Sequence, residues 1–104
     1  MKRHKYNAKR TTIDGVTFAS MAEAKRFSEL KLLERAGEIT NLTLQPKYPI
    51  VVNGEKICTY IADFAYLDLH GKMHTEDKKG FRTALYSIKK KLVRACHGIE
   101  IEEV

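Results

Sequence analysis

Residues 56–66, KICTYIADFAY, decide how the chain is built. Read with the two-residue period of a strand, Ile57, Thr59, Ile61, Asp63 and Ala65 fall on one face, and Cys58, Tyr60, Ala62, Phe64 and Tyr66 on the other. Both sets are largely apolar. A strand with two apolar faces belongs inside a sheet that is covered on both sides, so the run predicts a central strand between helical layers. Asp63 breaks the pattern. Burying its carboxylate without a partner would cost an amount comparable to a domain's whole net stability, so it needs a hydrogen-bond donor, a cation or a metal. A strand-end aspartate that accepts backbone N–H groups is the purely structural alternative.

The neighbouring segments supply the other layers. Upstream, residues 11–18, TTIDGVTF, place short β-prone runs around Asp14-Gly15, a favoured two-residue hairpin turn. Residues 20–37, SMAEAKRFSELKLLERAG, predict a helix with Ser20 as N-cap, Ala24, Phe27, Leu30 and Leu33 on one stripe, and Gly37 at its end. Residues 39–52, ITNLTLQPKYPIVV, read as one strand that bends or lies at an edge, because Pro46 and Pro49 cannot donate to a ladder. Asn53-Gly54 turns the chain into the central strand. Residues 81–96, FRTALYSIKKKLVRAC, predict a second helix with Leu85, Ile88, Leu92 and Ala95 on its buried stripe, and IEIEEV closes the chain as a last strand. The order is small hairpin, helix, three strands, helix, strand: α/β, with a mixed central sheet flanked by helices.

Length and composition narrow the classes. The 104 residues suit one domain, 1–104, with a basic N-terminal arm at 1–11. No apolar run is long enough for a membrane span, and the arm leads into polar residues rather than a signal-type apolar stretch, so a cytoplasmic location is expected. Two cysteines, Cys58 and Cys96, fit a reducing interior as buried thiols, and the cysteine and histidine spacing does not match a zinc site. The net charge of +6 is clustered in the arm (Lys2, Arg3, Lys5, Lys9, Arg10) and in a later group (Lys78, Lys79, Arg82, Lys89, Lys90, Lys91, Arg94). Such clusters suit a phosphate polyanion, and equally a solvated surface.

Residues 74–80, HTEDKKG, sit where the next strand ends. Alternation puts Met73, Thr75, Asp77 and Lys79 on one face and Lys72, His74, Glu76 and Lys78 on the other. The first set begins apolar and the second is polar throughout, which points Asp77 and Lys79 inward; a slip of one residue would select Glu76 and Lys78. Carboxylates that converge and stay ionised call for a hard cation such as Mg²⁺. Such an ion polarises a phosphate and acidifies a bound water, and a lysine beside it stabilises developing charge. Glu23 is a third acid, with a local explanation of its own as the Ser20–Glu23 capping box.

A helix glutamate, Asp63 and Asp77-x-Lys79, in that order, resemble the PD-(D/E)XK nuclease superfamily. More closely, DGVTFASMAEAKRFSELKLLERAGEI, LQPKY, YIADFAY and EDKKG are similar to small bacteriophage and prophage proteins related to phage endonuclease I, a junction-resolving enzyme, from about residue 6 onward. The resemblance implies a restriction-endonuclease-like αβββαβ core and a Mg²⁺-dependent DNA endonuclease, with Mn²⁺ substituting, acting in a bacterial host on branched DNA such as a Holliday junction. It implies catalytic Glu23, Asp63, Asp77 and Lys79, the three acids holding metal, and a homodimer. It gives Gln45 a supporting place. Lys9, Arg10, Lys78, Arg82, Lys89 and Lys90 would contact phosphates. Lys78 departs from the usual apolar residue between acid and lysine, which keeps the Glu76 register open. Alternatives are a nicking or flap endonuclease of the same fold, a noncatalytic basic nucleic-acid-binding module, and a structural phage protein.

Overall fold

A computed structural model describes residues 10–78 and 83–104. The chain begins with a hairpin, β1 (Thr11–Ile13) and β2 (Val16–Phe18), turned by Asp14 and Gly15. Both turn residues have positive φ, 51° and 79°, the geometry that matches the twist of antiparallel strands. Helix α1 (Met21–Arg35) follows. The Ser20 hydroxyl accepts the Glu23 N–H at 3.1 Å, and Ala24, Phe27 and Leu30 are buried at the expected spacing, whereas Leu33, expected on the same stripe, is exposed.

Among the described residues, five strands separate the helices where three are expected: β3 (Thr40–Leu44), β4 (Lys47–Val52), β5 (Glu55–Ile61), β6 (Phe64–Leu67) and β7 (Met73–Asp77). The two extra strands come from breaks in two expected ones. Gln45 takes φ 51° just before Pro46, and the facing strand breaks at Ala62-Asp63. Pairing nevertheless bridges the gap, through Gln45 N–H to the Asp63 carbonyl at 2.9 Å and Ala62 N–H to the Pro46 carbonyl at 3.1 Å. The result is one long hairpin, bent in the middle. Its near half, β3 and β6, joins the main sheet; its far half, β4 and β5, forms a separate ribbon turned by Asn53-Gly54.

The main sheet has the order β3-β6-β7-β8, where β8 is Ile101–Glu103. β6 runs antiparallel to both neighbours and β8 parallel to β7, after helix α2 (Ala84–His97), so the sheet is mixed. Two apolar clusters cover its faces. One joins Phe18, Ala24, Phe27 and Leu30 to Phe64 and Tyr66, and the other joins Tyr86 and Val93 of α2 to Ile50, Tyr60, Ala62 and Ile101. The α/β class and the mixed sheet with two helices stand as expected.

Four details differ from expectation. The central-strand reading of 56–66 holds for Phe64, Ala65 and Tyr66, all buried, but not for β5, where Ile57 and Ile61 are exposed; only the Cys58, Tyr60 and Ala62 face of the ribbon is covered. In α2 the buried stripe is Tyr86 and Val93 with Leu92 beside them, while Leu85 and Ile88 are 61% and 55% exposed. A helix turns about 100° per residue, so docking on the bent ribbon through Tyr86 rather than Leu85 rotates the whole stripe outward. Cys96, expected buried, is exposed, its Sγ 3.6 Å from the Val51 carbonyl, and Cys58 is half-buried. Finally, β7 is covered on both sides: Thr75, Glu76 and Asp77 are all buried and Met73 is exposed, the reverse of one inward and one outward face.

The α2 assignment predicts that Val93→Ala destabilises the protein by about 2 kcal/mol or more in urea unfolding, whereas Leu85→Ala changes stability by less than about 0.5 kcal/mol. Equal losses at the two positions would contradict the docking face.

Candidate active site

The ends of β6 and β7 carry the acids. Phe64 pairs with Glu76, so the register extended by one residue sets Asp63 opposite Asp77. Their backbones and side chains interlock. The Asp63 N–H donates both to the Glu76 carbonyl and to Asp77 Oδ1, each at 3.0 Å, and the Lys78 N–H donates to Asp63 Oδ2 at 2.7 Å. Asp77 is 1% exposed. Asp63 is half-buried and opens on a cleft of about 130 Å³ that it shares with Glu23, from the first turn of α1, and Gln45, with Phe18, Leu44 and Phe64 as apolar wall. Asp77 is not among the described residues lining that cleft; its link to it is the hydrogen bond to Asp63.

Gln45 lines the cleft at some cost in backbone strain. Of the four non-glycine residues with positive φ among the described residues, Asp14, Asn41 and Asn53 are types that tolerate the left-handed region, whereas Gln45 is not. Strain of this kind persists where surrounding structure enforces it, here the bond to the Asp63 carbonyl and the bend that Pro46 follows.

The competing register has another use. Glu76, 1% exposed, receives a two-point fork from Arg26 of α1, Nε to Oε1 at 2.8 Å and Nη2 to Oε2 at 2.6 Å, and Tyr66 donates its hydroxyl to Oε2. Burial alone would push the Glu76 carboxyl up; the Arg26 fork and the Tyr66 hydroxyl overcome it and hold the group below its usual range. Burial and Glu76 in turn push the Tyr66 phenol up. Glu76 therefore ties β7 to α1, while Asp77 meets Asp63. Nothing in the sequence pattern marked Arg26, which sits beside the buried stripe of α1. The signal available was that a buried acid at Glu76 requires a cation.

Next along the chain, His74 lies between two carboxylates, Nδ1 2.6 Å from Glu102 Oε2 and Nε2 2.8 Å from Asp68 Oδ2, and stacks on Tyr66 with centroids 5.2 Å apart. Only an imidazolium donates from both nitrogens. The Asp68 hydrogen bond chiefly, with Glu102 adding to it, raises the His74 pKa, and His74 in turn lowers Asp68 to about 2.

Of the sequence-derived phosphate contacts, Arg10 and Lys78 are exposed, and Lys89 and Lys90 are half-buried on α2. Lys90 Nζ is 3.2 Å from Glu103 and Arg94 3.8 Å from Glu100, so a hollow of about 260 Å³ along α2 is lined by ion pairs rather than by adjacent carboxylates. Lys9, Lys79 and Arg82 lie outside the described residues. Among the described residues no three histidine, cysteine or acidic side chains form a ready-made metal cage. The donors at Asp63, Asp77 and Glu23 are hard oxygens, the set that Mg²⁺ uses one or two at a time with water completing its shell.

Fold and cleft together define a mixed α/β protein with an acidic cleft beside the bend of a long hairpin. Residues 3–100 match the family described as "Protein of unknown function (DUF1064)", and the chain belongs to that family. No curated protein and no solved structure matches it. No helix among the described residues is long and apolar enough to cross a membrane.

Two outcomes test this geometry. Arg26→Met leaves the Glu76 charge buried without its fork, and is expected to cost about 3–5 kcal/mol in urea unfolding. The His74 bridge has the opposite pH sense to a buried acid. Its folded pKa lies above the unfolded value of about 6.5, so its contribution is complete below that value and is lost as pH rises through the raised one. The melting temperature should therefore fall on the alkaline side of pH 6.5, and His74→Gln should flatten that slope in circular-dichroism melts.

Proposed function

We propose that this protein is a Mg²⁺-dependent DNA endonuclease that hydrolyses phosphodiester bonds in branched DNA of the four-way-junction kind, acting in the cytoplasm of a bacterial host as a phage or prophage product. The observation that supports the reading is the contact of Asp63 with Asp77 at the end of the β6–β7 pair, with Asp63 opening on a cleft that Glu23 also lines. The sequence of elements supports it as well. If the bent hairpin is counted as two strands, the order is helix, three strands, helix, strand, that of the restriction-endonuclease-like core.

Asp63, Asp77 and Glu23 would hold the ion, for which Mn²⁺ should substitute. A bound ion of this kind supplies phosphate polarisation and a water acidic enough to ionise near neutral pH. The chain's own residues do the rest. Lys79 is assigned to stabilise charge on the scissile phosphate, and Gln45, which lines the same cleft as Glu23, to support the substrate's position. Arg10, Lys78 and Lys89, with Lys9, Arg82 and Lys90, would contact phosphates and orient the duplex arms without reading bases. A junction carries two strands to be cut, which is the reason to expect a homodimer with one site in each subunit.

One observation favours a second reading. Asp77 is almost fully buried and each carboxylate caps the other's strand end, as a noncatalytic DNA-binding module would also require. Asp77→Asn separates the two, because an amide still accepts the Asp63 N–H but carries no charge. With Mg²⁺ and a four-way junction, the expected result is a loss of cleavage of about 100-fold or more with junction affinity unchanged. Equal cutting by both proteins would reject Asp77, and absence of cutting by the wild type on junction, flap, nick and duplex substrates alike would leave the binding module.

A further inference from the structure

Glu76 and Arg26 have no place in the reaction as proposed, yet they form a two-point ion pair on a fully buried carboxylate. Arg26 stands one helical turn beyond Glu23, and Glu76 immediately precedes Asp77. The fork between them is bidentate, which fixes distance and angle together. Glu76 is bound through its backbone as well, since its carbonyl shares the Asp63 N–H with Asp77 Oδ1. Each of the three acids is thus attached to this one pair, Glu23 through α1, Asp77 through β7, and Asp63 through its amide. A buried ion pair is a weak way to gain stability, because an apolar pair of similar volume commonly serves as well. What an apolar pair lacks is direction.

We infer that Arg26 and Glu76 are positioning residues that set the separation and orientation of Glu23, Asp63 and Asp77. The inference rests on the nuclease reading for its functional content, but its geometric core does not need catalysis to be tested. The Asp63 and Lys78 amides report on the interlock directly, because they donate to Asp77 and Asp63.

The test compares wild type with the double variant Arg26→Met/Glu76→Leu, which replaces the charged pair by apolar side chains and leaves no orphaned charge. The double variant should melt within about 5 °C of wild type. Hydrogen exchange followed by NMR, without metal, should show the Asp63 and Lys78 amides exchanging about tenfold faster or more, with the Leu30 and Val93 amides unchanged. A Mn²⁺ titration should show about 10–100-fold weaker binding, the usual effect of losing a partner behind a metal ligand. If the double variant does not fold, Arg26→Lys, which keeps the charge but loses the fork, carries the same comparison and should show the same changes to a smaller degree.

A folded variant with wild-type protection at both amides and wild-type Mn²⁺ affinity overturns the inference. Faster exchange at both amides with unaltered Mn²⁺ affinity overturns it too, since the pair would then order the backbone without setting the ligands. A wild-type protein that binds no Mn²⁺ overturns the nuclease reading instead, and the metal-free exchange data tell the two failures apart.

Discussion

Two consecutive carboxylates, Glu76 and Asp77, are buried at the end of a strand that is covered on both faces, and the surrounding elements are arranged to meet them. The pleat sends the two side chains to opposite sides. On one side α1 supplies Arg26 and β6 supplies Tyr66; at the other the start of β6 supplies the Asp63 amide. Apolar packing of Phe27, Leu30 and Phe64 draws helix and sheet together, but the hydrophobic effect is not directional and would tolerate sliding. The charged contacts do not. A slip of β7 by one residue would point Asp77 at α1 and leave Arg26 without its fork, so register is fixed by polar partners where the pattern of apolar residues leaves it open.

The bend in the long hairpin is the second determinant, and it follows from the same region of sequence. Pro46 has no N–H to donate and Gln45 adopts a left-handed backbone worth roughly 1–2 kcal/mol of strain. The two bonds that bridge the break recover part of the lost pairing. Turning β4 and β5 out of the main sheet has two consequences. It gives α2 a surface to pack on through Tyr86 and Val93, and it leaves Asp63 at a strand end facing a cleft rather than in mid-strand. Asp63 looked anomalous inside a continuous apolar run because the run is not one strand.

That explains which parts could be read from sequence. Helix α1 was legible to its cap because Ser20, Ala24, Phe27 and Leu30 follow local rules, and the turns at Asp14-Gly15 and Asn53-Gly54 are specified by the residues that tolerate positive φ. The inward stripe of α2 was not, since Leu85, Ile88 and Leu92 make as good a helical stripe as Tyr86 and Val93, and only the bent ribbon decides between them. Alternation points Asp77 inward on a pattern that β7 does not obey, because Glu76 is equally buried and Met73 is exposed. The partner that makes Glu76 tolerable, Arg26, lies 50 residues away, and no local pattern encodes a contact at that separation.

The interlock of Asp63 and Asp77 bears on what the site is for. Capping a backbone N–H needs an acceptor, and an asparagine oxygen would serve without the cost of desolvating an ion. Two aspartates instead place two negative charges within hydrogen-bonding reach of the same short stretch of backbone, where like charges repel. Arg26 does not offset them, since both arms of its fork that reach β7 end on Glu76. Structural capping therefore accounts for the hydrogen bonds, and an asparagine at either position would preserve them. What the two carboxylates add is hard oxygen, the ligand type a divalent cation would take under the nuclease reading proposed above.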